Sequence, residues 1–434
     1  MTLASLLSDM TVLATFLLIG FVILQFCKPL QKCFIPAAVI GGIVALICGP
    51  QVLNIVEIPE SFSSMSTVLI NVIPCAAVFG STINRTKMRT YGDFLCVYIV
   101  TYGVQMVLSA LVGTACESIW TDLPHGWGIM ALFSFWGGHG TAAAAGAVFE
   151  QLGIEGNTQM GMIMSTIGLI VAMAGGMVVM NWGVRRGYAQ KVSMEDAEHI
   201  KGAVPVEKRH PIGMERISSI SMSNLMFQTA LILFCIWGGK QIMGLITLMI
   251  PDAKSLPGMI NGILGALILW PIMQKLGLGD YVDKPTVNAI SGFCLEIVMI
   301  SAIATLNLQM FATFIVPILL MSLVIITGCV VFSIFYTKRI CKQDWFEKAL
   351  GSFGQSTGSI PTGLALIRCV DPNAETSAAD AIGIANSLTS PIYSTLSAVG
   401  PMILMGSLWT FVGVGAAIFA VPFIFSFVAF GRQK

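Results

Sequence analysis

Long tracts without a single charged residue, such as Val12–Cys27 and Phe94–Cys116, recur along this chain and decide most of what it can fold into. A helix needs about 17 to 25 consecutive apolar residues to cross roughly 30 Å of hydrocarbon. Hydrophobic residues make up 56% of the chain and charged residues 10%, against about 25% charged in ordinary soluble domains. The expected class is therefore an all-α polytopic membrane protein, with the lipid bilayer as its surroundings. A net charge of +1 leaves no basic field to hold a nucleic acid. The eleven cysteines are scattered through apolar runs with no C-x-x-C pair, which argues against a disulfide framework or a zinc site. The first tract has no basic residue before it and no small-residue cleavage site after it, so it reads as a retained span.

Uncharged runs place spans near 12–27, 35–50, 65–83, 94–116 and 158–182, then near 224–250, 257–274, 287–307, 311–336, 376–398 and 402–430. That is about eleven transmembrane helices. Short cytoplasmic loops collect Lys and Arg. With the N-terminus outside and the C-terminus cytoplasmic, 21 of the 23 basic residues fall on the inner side, leaving Lys240 and Lys254 elsewhere. This agreement requires two Gly-rich apolar stretches, 127–150 and 346–368, to return to the side they entered from, as re-entrant hairpins.

The two halves also resemble each other. "IPAAVIGGIVAL" (35–46) aligns with "LPGMINGILGAL" (256–267), "GSTIN" (80–84) with "IATLN" (303–307), and "FWGGHGT" (135–141) with "FGQSTGS" (353–359), at offsets of 221, 223 and 218. Five spans per half is an odd number, so the second copy is expected to be inverted. The organisation is a first repeat over 1–182, a cytoplasmic linker over 183–222, a second repeat over 223–400 and an additional C-terminal span over 401–434. Inverted repeats with interrupted helices mark secondary transporters.

Non-helical backbone at membrane depth is tolerated only where protein or a water-filled cavity satisfies it. Glycine permits the turn and a close ligand approach, helix N-termini favour anions, and freed carbonyls coordinate Na⁺. The candidate substrate and ion site is therefore Gly137, Gly138, His139, Gly140 and Thr141 from the first stretch, with Gln355, Ser356, Thr357, Gly358, Ser359 and Thr362 from the second. Gly138, Gly140 and Ala143 match G-x-G-x-x-A in form, but no strand–helix alternation surrounds them. The first stretch also lacks the Lys of a phosphate-binding loop. His139 is open to three readings: a substrate or coupling residue, a structural residue bonding the unwound backbone, or a metal ligand.

Ionisable groups inside spans are functional suspects. Glu296, mid-span, is a candidate for coupling, for a crevice or for a subunit contact. Asp380 is a candidate Na⁺ ligand or a helix-capping acid, and Asn386 lies ahead of Pro391, where a kink would free carbonyls. Arg368 either clamps a carboxylate or turns at the cytoplasmic surface. No cofactor is expected beyond Na⁺ as coupling ion, and Na⁺ is the only metal expected.

"GGHGTAAA" before "F-E-x-x-G", the early "IPAAVIGG" and the later "GQSTGSIPTGLALIRCVDP" resemble the sodium/glutamate symporter family, from about residue 12 to about residue 400. The resemblance implies Na⁺-coupled import of glutamate across the bacterial inner membrane, two inverted five-helix repeats with re-entrant loops, a homodimer, an elevator-type transport domain and no enzymatic reaction. Alternatives on the same architecture are another carboxylate or amino acid, H⁺ coupling through Glu296, or a channel.

Overall fold

With no water at membrane depth, each backbone N–H must pair within its own segment, and apolar tracts of this length answer with helix. The computed structural model describes residues 3–27, 36–59, 61–62, 68–69, 71–80, 90–191, 222–249, 259–305, 308–371 and 375–430, and no strand occurs among them. Most of the expected linker (192–221), the basic residues Lys28, Lys32, Arg85, Lys87, Arg89, Lys254, Arg432 and Lys434, and most of the "GSTIN" segment lie outside the described residues.

The first half contains α1 (Leu3–Phe26), α2 (Ala37–Cys48), α3 (Val72–Val78), α4 (Gly92–Ile119), α5 (Met130–Gln151) and α6 (Asn157–Arg185). The second contains α7 (Met222–Met249), α8 (Met259–Lys275), α9 (Lys284–Ala304) and α10 (Leu308–Val330). A π-helical stretch, Val331–Tyr336, and a last turn, Thr337–Ile340, continue α10. Then come α11 (Trp345–Thr357), α12 (Ile360–Val370), α13 (Ala378–Gly406) and α14 (Leu408–Ala429). Seven helices among the described residues are long and apolar enough to cross a membrane: Leu7–Phe26, Gly92–Ile119, Asn157–Arg185, Ser223–Met249, Lys284–Ala304, Ala312–Ile340 and Leu408–Ala429. The spans expected near 35–50, 65–83, 257–274 and 376–398 correspond to α2, α3, α8 and α13, which are shorter or more polar.

Two pairs of helices share one separation in sequence. Helices α6 and α13 are both 29 residues long and begin at 157 and 378, 221 residues apart. The apolar helices Gly92–Ile119 and Ala312–Ile340 end at the same separation. Helix α13 continues to Gly406, beyond the boundary expected at 400, and α14 follows after Ser407 alone.

The opening helix pair of each half crosses at backbone contact. A Cβ on Gly41 of α2 would lie 2.5 Å from the Phe16 carbonyl, and one on Gly265 of α8 would collide with the Cys235 carbonyl. Such crossings bring in small residues because lipid supplies no hydrophobic drive between helices. These pairs, with α3 and α9, form two hydrophobic clusters. Helices α4, α6 and α10 to α14 gather in another. Helix α5 lies between: Ala142 and Ala145 belong to the last cluster, whereas Ala143, Ala144 and Ala147 belong to the one that also holds residues of α3, α7, α8 and α9. Helix α14 lies along α4, where the Phe419 backbone fills the space beside Gly103 and Ser426 shares a 2.6 Å hydroxyl contact with Tyr336.

Helix α3 is short, so its last carbonyls lack helical partners. The Lys284 ammonium, at the start of α9, donates to Ala76 O and Phe79 O at 2.6 Å and to Ala77 O at 3.3 Å.

Candidate functional site

The glycines of "FWGGHGT" break α5 at one residue. Gly138 has φ 66° and ψ −154°, a region essentially confined to glycine. The chain turns back there, and Thr141 closes the turn: its Oγ1 donates to Phe133 O at 2.5 Å. Eight residues along an unbroken helix would separate those positions by about 12 Å.

The second stretch folds by the same device. Thr357 ends α11, Ser359 precedes α12, and Pro361 sits in the first turn of α12, where its missing N–H costs nothing. Thr362 Oγ1 lies 2.9 Å from Gly354 O and 2.7 Å from Ser359 O, and accepts the Ser359 N–H at 3.0 Å. Thr141 and Thr362, Phe133 and Gly354, and Gly137 and Gly358 are each 221 residues apart. This differs from the 218 suggested by matching "FWGGHGT" with "FGQSTGS". Gly-rich strings align by composition in several registers, but the threonine that ties the turn has only one.

The two tips meet. Gln355 Nε2 donates to Trp136 O at 2.9 Å, and a Cβ on Gly138 would sit 3.5 Å from Gly358 O. Gly168 of α6 admits the Thr357 carbonyl, and Ala172 lies against Gly358. Ser356 is fully buried in a chain of hydroxyls: Ser352 donates to Ser333 at 3.1 Å, and Ser333 faces Ser356 at 3.3 Å. Gln105 of α4 donates to Ser356 O at 2.5 Å. His139, 4% exposed, places Nε2 3.1 Å from Thr166 Oγ1. The Thr166 hydroxyl donates to Met162 O, so the imidazole is the donor in this pair and ties the first tip to α6.

Aromatic rings surround the first tip. The rings of Tyr102 and Tyr393 stack with centroids 3.9 Å apart, and Trp136 stands edge-on to Tyr98, Tyr102 and Tyr393 at 4.7, 5.1 and 5.5 Å. The Tyr98 hydroxyl donates to Asn386 Oδ1 at 3.2 Å. Sequence reasoning missed Tyr98, Tyr102, Gln105, Trp136 and Tyr393. A signal existed: positions 98, 102 and 105 fall at the spacing of one helix face, in a run otherwise almost wholly apolar.

Asn386 thus reaches the aromatic group, and α13 runs through Pro391 and Pro401 as one continuous helix. Asp380 is exposed in the first turn of α13, at the base of the second hairpin rather than at its tip. Arg368 is exposed near the end of α12, and Glu296 is half-buried midway along α9. Among the described residues no three His, Cys, Asp or Glu side chains come together to hold a metal. Oxygen donors at the tips are hydroxyls and carbonyls, the ligand chemistry Na⁺ takes. Two cavities, of 280 Å³ beside Leu46, Gln51 and Thr305 and of 180 Å³ between Phe234 and Ile272, lie away from the tips.

Residues 3–372 match the family model described as sodium/glutamate symporter. No curated protein sequence matches the chain. The match covers most of the chain, so the protein belongs to the sodium/glutamate symporter family. It is a multi-pass membrane protein of a family that couples transport to sodium, and that family is not an enzyme class.

Proposed function

We propose that this protein imports glutamate by alternating access, driven by inward Na⁺, with substrate and ion held where the two tips meet. The observation that carries the reading is the pair of threonine closures, Thr141 on Phe133 O and Thr362 on Gly354 O, at tips in mutual contact. Two turns built alike at one offset are what an inverted duplication would leave behind. On this reading the halves are inverted five-span repeats, and 127–150 and 346–368 are re-entrant hairpins.

Na⁺ is held by oxygens from Ser356, Thr357 and Thr362 and by the tip carbonyls. The N-terminal end of α12, from Ser359, faces substrate negative charge. Na⁺ raises substrate affinity by ordering both tips and offsetting that charge. The two hydrophobic bodies on either side of α5 support an elevator-type movement. The protein works as a homodimer in the bacterial inner membrane, with its N-terminus outside and C-terminus cytoplasmic.

The test is uptake of radiolabelled L-glutamate into proteoliposomes holding the purified protein, with an inward Na⁺ gradient or a matched K⁺ control. Accumulation that requires Na⁺ and collapses with the gradient is expected. Folded protein that accumulates no glutamate under either condition defeats the assignment.

A further inference from the structure

Five buried side chains around the first tip each keep a polar atom without a hydrogen-bond partner: the Tyr393 OH, and a group of four, Tyr102 OH, Gln105 Oε1, Trp136 Nε1 and Gln355 Oε1. The four are 1%, 1%, 4% and 3% exposed. A buried polar group left unpaired lowers folding stability, so native proteins keep few of them and each calls for a reason. These four lie together. Tyr102 and Trp136 are in ring contact at 5.1 Å. Gln355 bonds the Trp136 carbonyl, and Gln105, one turn on from Tyr102, bonds the carbonyl of Ser356.

The chemistry of the set is bipolar. An indole N–H donates only, and a phenol that meets a carboxylate donates. The two amides are oriented by the carbonyls they serve: Nε2 must face Ser356 O or Trp136 O, so Oε1 is the atom left over. These four present two donors and two acceptors drawn from three helices, and the Tyr393 hydroxyl adds a third donor beside them. A carboxylate takes the donors and an ammonium takes the acceptors, and one small group carries both on a single carbon: the head of a free α-amino acid.

We infer that Tyr102, Gln105, Trp136 and Gln355 bind the α-carboxylate and α-ammonium of the transported amino acid. The inference rests on the reading of the protein as an amino-acid carrier and names the end of the substrate that the first tip takes. The stacked rings of Tyr102 and Tyr393 wall the head group, and the substrate side chain points to the hydroxyls of the second tip.

The test uses full-length protein in lipid nanodiscs, titrated calorimetrically in Na⁺ with L-glutamate and with glutarate, which lacks the α-ammonium. Wild-type protein is expected to bind glutarate at least about tenfold more weakly than L-glutamate, as amide oxygens left facing no donor demand. Tyr102→Phe is expected to weaken L-glutamate binding about tenfold, the loss of one charge-assisted hydrogen bond. The same variant should melt at or above the wild-type temperature without ligand, since the deleted hydroxyl has no partner there. Unchanged affinity in Tyr102→Phe, or affinity lost together with a lowered ligand-free melting temperature, overturns the inference. So does glutarate binding as tightly as L-glutamate, a result that needs no variant. Wild-type protein that binds no L-glutamate in Na⁺ removes the carrier reading beneath it, an outcome none of the other results resembles.

Discussion

The two tips share a backbone device and differ in nearly everything around it. Each turn is tied by a threonine reaching back eight residues to a carbonyl. Around the first, positions 98, 102, 136 and 393 are Tyr, Tyr, Trp and Tyr. Their counterparts 221 residues away are Leu319, Leu323, Thr357 and Ala172. The second tip answers with hydroxyls, from Ser333, Ser352, Ser356 and Thr357. Their bases differ too. Beneath the first, Glu117 meets His125 at 2.8 Å and Glu150 accepts from Thr158. Beneath the second, Lys348 meets Asp93, Lys191 meets Glu375, Gln190 N–H donates to Glu347, and Lys338 lies 4.4 Å from the Tyr188 ring centre. A turn fixed by backbone geometry leaves its surroundings free to change, so one scaffold supplies a tip walled by aromatic rings and a tip lined by hydroxyls.

The strongest way to break the comparison is to treat the paired glycines alike. Gly138→Ala forces an alanine into a glycine-only region at about 1–3 kcal/mol, and glutamate uptake is expected to fall to background. Gly358 has φ −144°, so Gly358→Ala meets the crowding of Thr362, Ala172 and the Gly354 carbonyl and should retain part of its uptake. Equal loss in the two variants would show that space, not conformation, limits both turns.

Next come the closures. Thr362 shares its one hydroxyl proton between two carbonyls and also accepts an N–H, whereas Thr141 only donates, at one short and one long distance. Thr362→Val should therefore lower stability by about 1–3 kcal/mol and more than Thr141→Val does, read as thermal unfolding in detergent. A larger loss from Thr141→Val would reverse the ranking of the turns.

A smaller effect lies at the second base. Burial opposes ionisation of Asp371, but hydrogen bonds from the Thr376 hydroxyl and the N–H groups of Glu375 and Thr376 outweigh it and hold the carboxyl below its usual range. A carboxyl depressed in the folded state stabilises above its unfolded pKa of about 3.9 and loses that contribution as pH falls through the folded value. Thr376→Val should raise the pH midpoint of acid unfolding, and an unmoved midpoint would release Asp371 from this role. The least effect is expected from Lys191→Ala: the Lys191–Glu375 pair is 38% and 49% exposed, and such pairs contribute about 0–1 kcal/mol. A melting temperature lowered by more than about 4 °C would contradict that, since about 1 kcal/mol moves a large domain by roughly 2–4 °C.

Much of this was legible in the chain. Charge-free tracts announce long helices because hydrocarbon leaves the backbone no other partner, and the doubled glycine before His139 marks where one must break. The offset was legible only approximately. Short, glycine-rich strings slide against each other, whereas the hydrogen-bonded closures at Thr141 and Thr362 stand at a single separation of 221 residues. Asp380 could be recognised as an acid near a helix start, but not its distance from the tips, which depends on how far α12 runs back from Ser359. The aromatic group was hidden for a different reason: Tyr98, Trp136 and Tyr393 come from three helices, and an apolar run reads the same whether its rings face lipid or one another. The Tyr98–Tyr102–Gln105 face was the one local trace.

The ammonium of Lys284 has a consequence for ion traffic. Carbonyls released by the end of α3 form the kind of oxygen cluster in which an alkali cation lodges, and here a covalently attached cation already sits in it. A tethered occupant has no concentration: no change in external salt can displace it by mass action. Those oxygens are therefore withdrawn from competition, and a diffusing cation entering the protein finds one fewer place to be trapped.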